Sequence, residues 1–239
     1  PRRRRLAMLI RPATSGDRIL ANVLVTGGAG YVGSHAVAEL VRRGHAVAVL
    51  DNLSKGHRKA VPDAADFYQT DLADYAGVKA VFDGHAFDAV LHFAANSQVG
   101  ESMREPMLYL GDNVMNAANL VRAAGESGVR KFVLSSTSNL FDGTGDRPIS
   151  EDRPIAPASP YGESKYMVER LLKWAETIYG VRSACLRYFN AAGADPEGRI
   201  GEDHSPETHL IPIVLEVAPV RRSHIEMFGD DYATPDGTC

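Results

Sequence analysis

Three glycines spaced three residues apart, Gly27, Gly30 and Gly33, stand between the apolar run Asn22-Val23-Leu24-Val25-Thr26 and an amphipathic stretch beginning at Tyr31. The first glycine lets a chain turn tightly out of a strand. The second lets backbone come close to a pyrophosphate, and the third lets the next helix pack against the strand, so that the helix N-terminus faces the phosphates. A glycine triplet alone is a weak signal. Placed between a strand and a helix, it points to a dinucleotide cradle built from Gly27, Gly30, Tyr31, Val32 and Gly33.

The rest of the chain has the rhythm that such a cradle requires. Short apolar runs alternate with amphipathic segments, the pattern of β-α-β units and a parallel sheet. Strands are expected at Asn22–Thr26, Ala46–Leu50, Phe67–Gln69, Ala89–Phe93, Lys131–Ser135 and Arg182–Arg187. Helices are expected over Tyr31–Arg43, Leu72–Phe82, Met107–Ser127 and Tyr161–Tyr179, the last two stopped by Gly128 and Gly180. After Asn190 the pattern weakens, with a helix possible over His209–Val217 and a strand over Ile225–Phe228. The reading is α/β: a tail over residues 1–20, a Rossmann-type doubly wound parallel sheet over 21–190, and the start of a smaller, incomplete C-terminal substrate domain over 191–239.

Asp51 ends the second apolar run. A carboxylate there can accept hydrogen bonds from an adenosine ribose and repels a 2′-phosphate, which argues for NAD over NADP. Lys55 and Arg58 follow closely and weaken that preference. Asp71 and Leu72 follow the third strand, where an adenine would lie. Phe93, Ala94 and Ala95 follow the fourth and would line the cofactor's other side.

Tyr161 and Lys165 lie four residues apart at the start of a helix, so they project from one face. A phenol near pKa 10 is a poor base at neutral pH, but a neighbouring ammonium favours the phenolate. Such a pair suits proton transfer at a hydroxyl while hydride moves to a nicotinamide. A third hydroxyl is expected at the end of the fifth strand, where Ser135, Ser136, Thr137 and Ser138 are all candidates, although such residues also satisfy turns.

With these residues in place, the chain resembles the extended short-chain dehydrogenase/reductases and, within them, the UDP-glucose 4-epimerases. The segments that carry the resemblance are Thr26–His35, Leu50–Ser54, His92–Ala95, Pro160–Lys165, Leu186–Ala194, Thr208–Pro212 and Phe228–Tyr232. It implies that Tyr161 is the acid/base, that Lys165 holds the nicotinamide ribose and tunes Tyr161, and that Thr137 supplies the catalytic hydroxyl. It adds Asn52, Asn113, Ser135 and Tyr188 to the residues around NAD. It places Thr137, Tyr161, Phe189, Asn190, Leu210 and Phe228 against a UDP-hexose. The implied reaction is reversible oxidation at C4 of the sugar, rotation of the 4-keto sugar, and return of the hydride to its other face. A homodimer built through the helices near Met107–Ser127 and Tyr161–Tyr179 is implied as well.

There are departures from that pattern. Ser136-Thr137-Ser138-Asn139-Leu140-Phe141-Asp142 replaces the usual Ser-Ser-Ala-Thr-Val-Tyr-Gly, and Ser97 stands where a cofactor-contacting Lys is common. The family's later Arg-Asp-Tyr motif and the rest of its UDP-binding domain are not found. Two other readings therefore stand beside the epimerase. One is a 4,6-dehydratase, although that chemistry wants an acid pair after Thr137, where Ser138 and Asn139 lie. The other is a non-catalytic NAD-binding protein.

Composition excludes other classes. A net charge of −4 gives no general reason to bind nucleic acid, and the run Arg2–Arg5 reads as a solvated tail. Two cysteines, Cys185 and Cys239, suggest neither a disulfide framework nor a metal site. No apolar stretch reaches membrane-spanning length and no signal peptide is seen, so a reducing cytoplasm is expected.

Overall fold

A computed structural model describes residues 20–142, 148–217, 219, 222–226, 229–232 and 234–237. The expected N-terminal tail with its arginine run, Phe228 and Cys239 lie outside the described residues. Six parallel strands run β1 (Asn22–Thr26), β2 (Ala46–Asp51), β3 (Asp66–Gln69), β4 (Ala89–His92), β5 (Lys131–Ser135) and β6 (Arg182–Leu186). Their order in the sheet is β3-β2-β1-β4-β5-β6, the doubly wound arrangement in which the strand order reverses beside β1. Register pairs Thr26 with Leu50 on one side and with His92 on the other. The ends of β1, β2 and β4 are thus level with the glycine turn.

Two apolar layers cover the sheet. One buries Leu24, Leu50, Val90, Phe132 and Leu134 against Val78, Phe82, Leu120, Val121, Val168 and Leu172. The other buries Val23, Val25, Val47 and Val49 against Val37 of α1 (Tyr31–Arg42). β1 is buried from its second residue onward, as its unbroken apolar run requires.

The helices correct several expected boundaries. α2 spans Tyr75–Gly84 rather than beginning at Leu72, because the Asp74 side chain caps it by accepting from the Gly77 amide at 3.1 Å. A short α3 (Val99–Ser102) precedes a π-helical turn over Leu108–Asn113, which runs into α4 (Val114–Glu126). The expected helix from Met107 is therefore continuous, but it widens into a π-helical turn next to the site. α5 (Pro160–Tyr179) is capped by Ser159, whose hydroxyl accepts from Gly162, and ends at Gly180 with φ 72°. α6 (Leu210–Val217) buries none of its residues. Ile225 and Glu226 are not in a strand, and their expected partners Met227 and Phe228 lie outside the described residues.

Candidate active site

The glycine turn is sterically committed. Gly27 has φ +71°, and a Cβ there would sit 2.5 Å from the Ala94 amide nitrogen. A Cβ on Gly33 would overlap the Gly27 carbonyl oxygen. The turn therefore packs directly on the start of the loop after β4 and on the first turn of α1. Its helix N-terminus lacks a side-chain cap, which leaves the N–H groups of the first turn free for a phosphate. These features fit a dinucleotide pyrophosphate.

Asp51 is buried at the end of β2. Its Oδ2 accepts from the Ala29 amide at 3.0 Å and its Oδ1 from the Leu53 amide at 2.8 Å. Two amides fix the carboxylate and still leave lone pairs for ribose hydroxyls. The second bond holds Leu53 at φ 60°, an uncommon conformation for a branched side chain. Asn52 Nδ2 donates to Asp71 Oδ2 at 2.8 Å, and Asp71 also accepts from the Ala73 amide. The Ala73 amide, then Asn52, hold the Asp71 carboxyl below its usual pKa despite partial burial. Leu72 is buried beside it. Arg58 is turned away from Asp51, stacked over the Phe67 ring at 4.7 Å and donating to the Val61 carbonyl.

Beyond β4, Phe93, Ala94 and Ala95 are half-buried along the turn, and Ser97 is exposed. Asn113 closes this loop from behind. It accepts from the Asn96 amide at 2.8 Å and donates to the Asn96 carbonyl at 3.0 Å and to the Ser164 hydroxyl at 3.2 Å. The π-helical turn aims this amide, a common role for such bulges. In the described structure Asn113 positions the loop and spends its amide on protein groups.

At the far side of the cleft, Tyr161 lies in the first turn of α5 and Lys165 one turn on. Both are buried. Lys165 Nζ donates to the Ser135 carbonyl at 2.9 Å and lies 5.9 Å from the centre of the Tyr161 ring. Burial lowers Lys165 to about 8. Tyr161 departs from expectation: its pKa is raised, first by burial, then by the Tyr188 phenol, while a hydrogen bond with Thr137 opposes the rise. The ammonium does not outweigh desolvation in this state, because the phenol sits in a pocket with little water to stabilise a phenolate.

Thr137 is buried at the end of β5. Its oxygen accepts from both the backbone amide and the side-chain amide of Asn139, each at 3.1 Å. With both acceptor positions used, its O–H is left to donate, and its nearness opposes the rise in the Tyr161 pKa. The unusual Asn139 thereby sets the direction of this hydroxyl. Of the other candidate hydroxyls, Ser135 bonds the Tyr188 phenol. Ser136 donates to Glu169 Oε1 at 2.6 Å.

Glu169 escaped the sequence reading. It is buried one turn beyond Lys165 on the face shared with Tyr161 and forms a two-pronged pair with Arg187, at 3.0 and 2.6 Å. This pair ties β5, α5 and β6 beneath the site. The i, i+4, i+8 series Tyr161, Lys165, Glu169 was the available signal. His92, bonded to the Thr26 hydroxyl at 2.7 Å, was also missed. Burial and then the Lys165 charge push it to about 3, so it stays neutral.

Phe189 and Asn190 follow β6 and are exposed, as is Leu210 at the start of α6. The structure does not gather these three into a pocket with Tyr161.

Comparison with known proteins agrees with this architecture. A profile of the NAD dependent epimerase/dehydratase family matches residues 23–236. A UDP-glucose 4-epimerase of Halalkalibacterium halodurans is 51% identical over 217 residues, covering 91% of this chain and 65% of that protein. The Streptococcus mutans UDP-glucose 4-epimerase is 51% identical, covering 90% and 66%. The Brucella ovis UDP-glucose 4-epimerase in complex with NAD superposes with a TM-score of 0.87 at 42% identity, covering 92% of this chain and 67% of that one. The Bifidobacterium longum enzyme in complex with NAD+ and UDP gives 0.85 at 33% identity, covering 91% and 68%. The chain thus spans about two thirds of the length of these relatives. It belongs to the NAD dependent epimerase/dehydratase family.

Proposed function

We propose that the cleft binds NAD and that this chain carries the acid/base centre of a reversible UDP-hexose 4-epimerase. The observation that carries this reading is the convergence of the Tyr161 phenol, a donor-directed Thr137 hydroxyl and a buried Lys165 ammonium at the strand ends beside the glycine turn. The Gly27–Gly33 turn and the start of α1 would hold the pyrophosphate, with Tyr31 and Val32 in its first turn. Asp51 and Asn52 would hold the adenosine ribose, and Asp71 and Leu72 would flank the adenine. Phe93, Ala94, Ala95, Ser135 and Tyr188 would line the nicotinamide half. Asp51, fixed by two amides, with Arg58 turned aside, favours NAD over NADP.

When bound, NAD would supply a hydride acceptor and donor for C4 of the sugar. Tyr161 takes the proton of the 4-hydroxyl as the hydride leaves, and gives a proton back when the ketone is reduced from its other face. Thr137, with its proton free to donate toward the Tyr161 oxygen, would stabilise the phenolate that Tyr161 presents before it takes that proton and becomes again after returning it. Lys165, once engaged by the nicotinamide ribose, adds its positive charge. Phe189, Asn190, Leu210 and Phe228, within the partial substrate domain over residues 191–239, would meet the nucleotide sugar. Dimerisation through α4 and α5 fits their apolar surface: Met115, Met167, Trp174 and Ile178 are exposed there. Among the described residues no helix is long and apolar enough to cross a membrane.

Calorimetry with NAD and a UDP-galactose to UDP-glucose conversion assay test the reading. Because the chain spans 65% of the Halalkalibacterium relative, conversion is measured on the 239-residue chain and on a fusion that adds the remaining part of that relative. NAD binding by both and turnover by the fusion are expected. NAD binding without turnover by the fusion would favour the non-catalytic reading, and accumulation of a 4-keto-6-deoxy product would favour the dehydratase. Gly33→Ala is expected to weaken NAD affinity at least tenfold and to cost about 1–3 kcal/mol of stability, because its Cβ must displace backbone rather than a flexible side chain. Unchanged affinity in that variant would remove the glycine turn from the cofactor site.

A further inference from the structure

The segment after β6 folds back over the glycine turn and brings together side chains that the proposed reaction does not use. Glu202, His204, Glu207 and His209 each place one ligand atom so that all four lie within 4.8 Å of one another. His209 Nδ1 is 2.8 Å from Glu202 Oε1 and 3.1 Å from Glu207 Oε1. His204 Nδ1 is 3.4 Å from Glu202 Oε1 and 3.8 Å from Glu207 Oε2. In a tetrahedral site with arms of about 2.0–2.1 Å, ligand atoms stand roughly 3.3 Å apart. The separations seen here lie on either side of that value.

Two features set this cluster apart from a solvated group of acids. The two carboxylates are only 11% and 9% exposed, and among the described residues neither is paired with a lysine or arginine. Like charges drawn together out of water need a compensating cation. Furthermore, His204 Nδ1 is sealed from solvent and makes no hydrogen bond, which is uncommon for a buried polar atom. The Glu207 carboxylate is fixed in direction by bonds it accepts from the His209 and Thr208 amides, at 2.8 and 2.7 Å.

We propose that Glu202, His204, Glu207 and His209 form a binding site for a divalent transition ion of the zinc class. Two imidazoles with two carboxylates suit Zn²⁺ and its neighbours, whereas Mg²⁺ and Ca²⁺ prefer oxygen alone. Two carboxylates and one such ion sum to zero charge. The sequence reading, led by cysteine usage, expects no metal here; the ligand spacing Glu-x-His-x-x-Glu-x-His is the signal it passed over. The ion would pin this segment to the cradle. The Tyr31 ring meets His204 edge-on at 6.3 Å, Tyr31 donates to the Gly193 carbonyl at 2.6 Å, and His57 Nε2 lies 3.3 Å from the Asp203 carbonyl oxygen. Metal binding itself stands apart from the nucleotide-sugar reading.

The test uses the 239-residue chain stripped by EDTA and titrated with Co²⁺. One equivalent should give the intense visible absorption of four-coordinate cobalt. Zn²⁺ should displace it stoichiometrically, and millimolar Mg²⁺ should not. X-ray absorption of the Zn²⁺-loaded, unsubstituted protein should show imidazole scattering and a shell of nitrogen and oxygen at about 2.0–2.1 Å. His204→Ala and the shape-conserving Glu207→Gln should each weaken binding at least tenfold. The double variant His204→Ala/His209→Ala should abolish it, with helical circular dichroism retained, and His224→Ala should leave it unchanged. Absence of stoichiometric binding by the unsubstituted protein, a bound shell without imidazole, or parental affinity in the double variant would each overturn the proposal.

Discussion

Replacing Tyr161 with Phe is expected to lower epimerisation by the fusion described above about a thousandfold while leaving NAD affinity within a fewfold of the parent. The size follows from what the oxygen does. Positioned proton transfer contributes roughly 10²–10⁴ to a rate, and the other buried hydroxyls beside it among the described residues are already engaged. Ser135 is held by Tyr188, and Ser136 by Glu169. Thr137 is held by two bonds from Asn139. The ring itself stays, still packed edge-on against Tyr109 at 6.3 Å, so the first turn of α5 keeps its place and Lys165 keeps its anchor on Ser135. Thermal unfolding should therefore change little. A parallel titration separates the causes: the phenol absorbance of the cofactor-free parent should titrate above 10, because burial raises Tyr161, and NAD+ should bring that midpoint down. Turnover within tenfold of the parent, or a midpoint indifferent to NAD+, would remove Tyr161 from the acid/base role.

Where a segment's fate was decided locally, the sequence was enough. β1 and β5 run from Asn22 to Thr26 and from Lys131 to Ser135, as read, because apolar runs between turn residues can only be buried strands in this pattern. Tyr161 and Lys165 share a face of α5 because the helix period puts them there. Capping already strains that legibility: Asp74 starts α2 three residues after Leu72, and a side-chain acceptor there looks like any polar residue before a helix. What depends on distant partners was not legible. The acidity of Tyr161 was judged from its neighbour in sequence, whereas burial by the whole fold sets its sign. Glu169 reads as an ordinary helix glutamate until Arg187 and Ser136 arrive from β6 and β5 to pair with it. Beyond Asn190 the pattern weakened for a physical reason. α6 buries none of its residues fully, so its apolar positions carry little record of a partner.

Lys165→Met should separate stability from function in opposite directions. The ammonium of Lys165 is buried with one protein acceptor, the Ser135 carbonyl, and burial lowers its pKa from 10.5 to about 8. A lowered lysine pKa means that the unfolded chain holds the proton more tightly than the folded one. The folded state therefore bears a penalty that is complete below about pH 8 and fades as pH rises from there toward 10.5. At about 1.4 kcal/mol per pKa unit, the penalty at neutral pH is about 3 kcal/mol. Methionine fills a similar volume with no charge to desolvate, so the cofactor-free variant should be more stable than the parent by about 2–3 kcal/mol at pH 7. That gain should shrink steadily between pH 8 and pH 10.5. It should come with a loss of at least a hundredfold in turnover by the fusion and a weakened hold on NAD, since the charge that costs stability in the empty cleft is the one the nicotinamide ribose and the phenolate require. Denaturant unfolding across that pH range, with and without NAD, reads both effects. A variant less stable than the parent at pH 7, or a stability difference flat from pH 7 to 10.5, would show that the ammonium is not held against its own desolvation, and the strained, preorganised cleft would have to be abandoned.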